Sequence, residues 1–212
     1  QELIMDKLKL FYNEVNINKL LPILNGETKL SLRIIDWFVT NYSKKYNISY
    51  MINTETNKII HDKKDYNPLK CKEFVVYINY KLQLKAYSKK QFDPFCRRKR
   101  IDYYYDKQAV LDYINKNNID VPNIKEYLKN NEESYFTSTT GQLNFFRWII
   151  NNKILDYILK HTKDIEKDMN TCYKKQYPKN IIRTERKKRH ELSMSATKSL
   201  SKSKVNVVVT FN

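Results

Sequence analysis

Apolar positions recur along this chain at two different periods. Leu3, Leu8, Leu10 and Phe11, and then Leu20, Leu21, Ile23 and Leu24, read as helix up to a stop at Asn25-Gly26. Leu30, Ile34, Trp37, Phe38 and Tyr42 follow at helical spacing, with Thr28 or Ser31 as the cap and Trp37 and Phe38 as expected core anchors. The chain turns polar over 49–68, where short strands at 50–52 and 58–60 joined by a turn would fit. From there Phe74, Val76, Ile78, Tyr80, Leu82, Leu84 and Ala86 alternate with mostly polar residues, the period of a strand with one buried face. Phe74, Ile78 and Leu82 are also four apart, so a helix fits the same letters; the strand is preferred. Residues 97–105 offer a second strand, with Ile101, Tyr103 and Tyr105 on one side, and 87–96 form the loop between the two.

Helical patterns resume at 107–117, with Asp106 as cap, and at 121–130, with Asp120 as cap and Pro122 in the first turn. Residues 132–140 read as a polar loop. One long amphipathic helix is expected over 142–170, from Leu143, Phe146, Ile150, Ile154, Ile158, Ile165 and Met169. After Pro178 the chain is basic and Ser-rich, and it ends in the strand-like alternation Val205, Val207, Val209, Phe211. These elements predict an α+β fold, with helices packed around a small antiparallel sheet centred on a 74–105 hairpin. Residues 1–173 would form the globular domain and 174–212 a basic arm ending in a short strand.

The length of 212 residues suits one domain with a sizeable core or two small ones. Hydrophobic residues at 41% and aromatics at 13% exclude a disordered composition. Only two glycines, Gly26 and Gly141, are present, which nearly excludes a glycine-rich phosphate loop. No apolar run approaches the roughly 18 residues that span a bilayer, and no basic-then-apolar leader opens the chain. A non-secreted protein without a membrane partner is therefore expected. The start at Gln1 rather than Met fits a fragment or a processed chain.

The formal net charge is +17. Lys, Asn, Ile and Tyr, all with AT-rich codons, make up 93 of the 212 residues, so part of the Lys excess reflects base composition. Clustered arginines are not explained that way. Residues 81–100 carry net +7 and residues 174–204 net +9, which leaves +1 for everything else; six of the eight arginines lie in these two segments. Such concentration is the footprint of a polyanion-binding surface, because each cation placed at a phosphate releases condensed counterions. In the first segment Lys81, Lys85, Lys89, Lys90, Arg97, Arg98, Lys99 and Arg100 would grip phosphate, with Tyr87, Phe92 and Phe95 stacking on bases or shaping the loop. In the second, Arg183, Arg186, Lys187, Lys188 and Arg189 would extend the grip. The run 186–189 also has the form of a nuclear localisation signal.

Other chemistry is weaker. Cys71, Cys96 and Cys172 form no CxxC pair and make no close-spaced set with His61, His161 or His190, so reduced thiols are expected and no metal or cofactor is. The cations around Cys96 would lower its thiol pKa. Asp102 with Asp106, or Glu185 with Glu191, are the carboxylate pairs nearest the basic segments and keep a metal-dependent nuclease as a minority reading. The 205–212 strand would either return to the domain's own sheet or dock on a protein partner.

Three stretches, QLKAYSKKQFDPFCRRKRID at 83–102, TTGQLNFFRW at 139–148 and KKRHELSMSATKSLSKSKVNVVVTF at 187–211, together with the 30–46 helix, resemble an uncharacterised protein family of nucleocytoplasmic large DNA viruses of the mimivirus and phycodnavirus kind. The resemblance implies viral origin and a role in viral DNA handling, late gene expression or virion assembly, and it carries over no catalytic residue. The expected function is non-catalytic nucleic-acid binding in the host cytoplasm (virus factory), the virion or the nucleus. A virion structural or assembly protein is the first alternative and a nuclease the second.

Overall fold

In a computed structural model, residues 2–60, 67–120, 122–130 and 134–176 are described. The architecture is α+β: helices packed with two separate two-stranded antiparallel sheets. The chain opens with α1 (Glu2–Phe11) and α2 (Glu14–Leu24), the latter capped where Asn13 Oδ1 accepts the Asn16 amide at 3.1 Å. Gly26 closes that turn at φ +71°, a left-handed conformation that costs glycine nothing. Ser31 caps α3 (Leu32–Trp37) by accepting the Ile34 amide at 3.2 Å. The helix then widens into a π-helical turn over Phe38–Tyr42 and ends in α4 (Ser43–Lys45). As expected, Phe38 is fully buried.

β1 (Ser49–Asn53) pairs with β2 (Cys71–Val75), and a bridge from Ile52 to Ile59 adds the expected return at 58–60. All but the first two residues of the expected strand form instead a helix, α5 (Val76–Ala86). The letters permit both, and packing decides between them. As a helix, Val76, Tyr80 and Leu84 face inward together, and Tyr80 lies 6.1 Å from the Trp148 ring. Ile78 and Leu82 are then left outside, 57% and 53% exposed.

The expected hairpin is therefore not formed. β3 (Ile101–Tyr104) pairs with β4 (Tyr135–Ser138), which lies in the segment expected to be a polar loop. Between them come α6 (Lys107–Lys116), capped by Asp106 as expected, and α7 (Pro122–Asn130).

The expected single helix at 142–170 is two: α8 (Thr140–Asn151) and α9 (Ile154–Gln176). The break falls at Lys153, whose φ of +58° ends α8 in a left-handed turn. The Asn152 side-chain amide donates to the Trp148 carbonyl at 2.8 Å and seals the end. Lys153 lacks the glycine that normally marks such a stop, so the break carries little sequence signal. α9 bends again at His161, whose ring stacks on Tyr157.

α8 is the centre of the fold. Leu143, Phe145, Phe146 and Ile149 are fully buried, and Gln142 and Asn144 are buried among them. A helix with apolar residues on most of its circumference must be covered on most of it. α1 and α9 pack on it, and the 87–100 segment lies against its first turns.

A candidate nucleic-acid interface

The segment from 87 to 100 has no regular secondary structure, yet it is held at many points. Its anchor is Phe92, 3% exposed, with its ring edge-on to Phe145 at 5.2 Å and to Trp148 at 5.6 Å. Tyr87 stacks near-parallel to Phe92, with ring centroids 6.3 Å apart. Of the two roles expected for these aromatics, Phe92 shapes the loop, because its ring belongs to the core. Phe95 is partly buried against the same core.

Polar side chains of α8 satisfy the loop backbone. Gln142 Nε2 donates to the Pro94 carbonyl at 2.9 Å, Asn144 Nδ2 donates to the Gln91 carbonyl at 2.9 Å, and the Asp93 amide donates to the Gly141 carbonyl at 3.2 Å. Gln142 is oriented in turn by Ser138, whose hydroxyl donates to its Oε1 at 2.8 Å. A buried loop would otherwise leave these backbone groups without partners, at a cost of about 1–3 kcal/mol each. Gly141 permits the contact, since a Cβ there would sit 2.9 Å from the Lys90 carbonyl oxygen. The TTGQLNFFRW stretch is thus the bed on which the basic segment rests. Spacing along the chain could not reveal that the two conspicuous stretches touch.

Arg97 is placed apart from the other cations. Its Nε donates to Asp93 Oδ2 at 2.9 Å and its Nη2 to Asp93 Oδ1 at 2.8 Å, while its guanidinium lies 4.7 Å over the Phe95 ring. Asp93, the acid within residues 81–100, also accepts the Phe95 amide at 3.1 Å. Arg97 therefore closes a loop-internal clasp. Lys81 and Lys85 on α5, Lys89 and Lys90 at the loop's start, and Arg98, Lys99 and Arg100 at its end are all exposed. Among the described residues none of these seven has an ion-pair partner. A cleft of about 140 Å³ lies between α3, α5 and the loop, with Asp36, Tyr80, Lys89, Asp93 and Arg97 on its walls. Burial, with the Asp36 and Asp93 carboxylates nearby, pushes the Tyr80 hydroxyl up to about 12.

Two expectations for this region change. Burial pushes the Cys96 thiol up rather than down, although the Arg100 guanidinium, hydrogen-bonded to it, opposes the shift. Among the described residues the aromatic side chain most open to solvent is Tyr104, 72% exposed, whose ring lies 5.2 Å from that of Tyr135 across the β3–β4 pair. Tyr135 is hidden from sequence reasoning because its strand reads as a polar loop.

Asp102 accepts the Thr137 hydroxyl at 2.8 Å, and Asp106 Oδ1 accepts the Ala109 amide at 2.9 Å. Among the described residues no three of His, Cys, Asp and Glu converge in a way that could hold a metal ion. Arg183, Arg186, Lys187, Lys188 and Arg189, the Glu185–Glu191 pair and the 205–212 strand lie outside the described residues. No helix among the described residues is long and apolar enough to cross a membrane.

Known proteins extend this picture. The sequence matches a family of unknown function, DUF7197, over residues 1–125 and 122–210. It is similar to the uncharacterized protein L507 of Acanthamoeba polyphaga mimivirus, 40% identical over 178 residues that cover 83% of this chain and 56% of the relative. The chain thus spans little more than half the length of that curated relative. No solved structure matches it. With a family match running nearly end to end and a mimivirus relative at this identity, the chain belongs to DUF7197, an uncharacterised giant-virus protein family.

Proposed function

We propose that this viral protein binds nucleic acid without catalysis, through the basic surface formed by α5 and the 87–100 loop. One observation carries the reading. The local acid, Asp93, is engaged by Arg97, so Lys81, Lys85, Lys89, Lys90, Arg98, Lys99 and Arg100 point uncompensated into solvent. A protein gains nothing in stability from seven like charges along twenty residues, since they repel. A phosphate backbone converts that repulsion into affinity by counterion release. The loop is also fastened to α8 before any ligand arrives, so little ordering cost falls on binding. Tyr87 and Phe95 support the loop's shape, and the cations of the 183–189 segment are proposed to extend the grip.

The test is an equilibrium binding series over salt concentration. Arg98→Glu, Lys99→Glu and Arg100→Glu combined should weaken binding to all sequences alike. The slope of log affinity against log salt should flatten by about 0.7–0.9 for each phosphate no longer neutralised. Arg97→Gln serves as the contrast: it breaks the Asp93 clasp and should lower thermal stability more than it alters the slope. Unchanged affinity and slope in the triple variant would overturn the proposal.

A further inference from the structure

The β3–β4 ribbon has two faces. On the inner one, Tyr103 and Phe136 pair with ring centroids 5.5 Å apart, and Tyr103 packs on Tyr12 and donates to the Leu8 carbonyl. The register puts Asp102 opposite Thr137 and Tyr104 opposite Tyr135 on the outer face. Tyr104 and Tyr135 form an aromatic pair there, tilted by 50°. A cross-strand aromatic pair accounts for some ribbon stability, but it does not require a ring to stand 72% in water. Directly before β3 come Arg98, Lys99 and Arg100, all exposed. At about 3.3 Å per extended residue, Arg100 lies roughly 13 Å or less along the chain from Tyr104.

We infer that this outer face is a base-stacking platform for single-stranded nucleic acid, with Tyr104 and Tyr135 receiving unpaired bases while Arg98–Arg100 hold the backbone. The inference rests on the nucleic-acid reading above and adds the strandedness of the ligand. Three features support it. Stacking on tyrosine needs a base whose face is free, which a duplex interior does not offer. The aromatics nearer the loop, Phe92 foremost, are committed to the core and cannot serve. Asp102, on the same face between Arg100 and Tyr104, repels phosphate and accepts hydrogen bonds from base amino groups, so it favours a base edge over a backbone at that point.

The experiment uses the full chain with fluorescein-labelled oligothymidylate, oligouridylate and the oligothymidylate–oligoadenylate duplex. Tyr104→Thr with Tyr135→Thr keeps strand-forming residues while removing both rings. It should weaken binding to both single strands roughly tenfold or more, leaving duplex affinity and the salt slope unchanged. Tyr104→Trp should retain single-strand affinity, and its added indole fluorescence should be quenched when oligothymidylate binds. Tyr104→Ala alone, at a position already in solvent, guards against a ribbon that fails to form. Unchanged single-strand affinity in the Thr and Ala variants, alongside a loss in the Arg98–Arg100 variant, would overturn the platform and leave the basic interface standing. An equal loss on the duplex would overturn the single-strand assignment. No binding of any of the three probes by the unaltered chain at low salt would overturn both.

Discussion

Asp168 shows how far one side chain's role can depend on residues distant in sequence. It sits on α9, 8% exposed, and accepts hydrogen bonds from Trp37 Nε1 at 3.1 Å and the Tyr46 hydroxyl at 3.0 Å, as well as from Lys45 Nζ. Trp37 is thereby tied to α9 through its ring nitrogen, a use that its apolar spacing does not announce. Burial alone would raise the carboxyl's pKa, but hydrogen bonds from Lys45, Trp37 and Tyr46 outweigh it and hold Asp168 below the usual carboxylate range. A lowered folded-state pKa contributes stability that is full above the unfolded value and is lost as pH falls through the folded one. Unfolding monitored by urea titration should therefore show Asp168→Asn costing about 2 kcal/mol near neutrality. The gap to the unaltered protein should shrink as pH falls below about 4, where the unfolded carboxyl takes up its proton. A gap constant from neutral to acid pH would contradict the clasp. Lys45 is half exposed, so solvent screens its charge and the ion pair contributes little beyond its hydrogen bond.

At the scale of elements, the decisive contact is α8 against the 87–100 loop. Gly141 lies in the first turn of α8, where alanine would ordinarily favour the helix by up to about 1 kcal/mol. Here the added Cβ would meet the Lys90 carbonyl at 2.9 Å, and overpacking against backbone costs about 1–3 kcal/mol. The second effect is larger, so Gly141→Ala should destabilise the protein in a urea titration and loosen the loop; a stabilised variant would show that the loop yields freely. The same scale explains what the sequence conceals. The 74–86 letters satisfy periods of two and of four at once, so only α5's packing toward Trp148 distinguishes helix from strand. β4 escapes notice because four residues make too short a pattern, and only pairing with β3 makes Tyr135–Ser138 a strand. By contrast, α3 and α6 are legible because each carries its own cap in Ser31 and Asp106, whereas the Asn13 cap that separates α2 from α1 goes unread within one continuous helical pattern.

For the whole molecule, the +17 charge resolves into a nearly neutral body with two basic segments. If both meet one polyanion, Arg183→Gln, Arg186→Gln and Arg189→Gln made together in the full chain should flatten the salt slope by about 0.7–0.9 per phosphate released. That change should add to the effect of the Arg98–Arg100 variant, because each phosphate neutralised contributes its own counterion release. A slope unmoved by the three substitutions would remove the arm from the interface. The sequence by itself determined the α+β class, the capped starts of α3 and α6 and the location of charge along the chain, because caps, periodicity and clustering are local properties. It also carried the match to the giant-virus family. Only the tertiary structure decided which charges are free and which aromatics face water. Arg97 is taken up by Asp93, Phe92 by the core, and Tyr104 is left in solvent beside the half-buried Tyr135. Those outcomes depend on α8 meeting a loop some fifty residues earlier and on β3 pairing with β4 across two helices, and contacts at that separation leave no periodic trace in the letters.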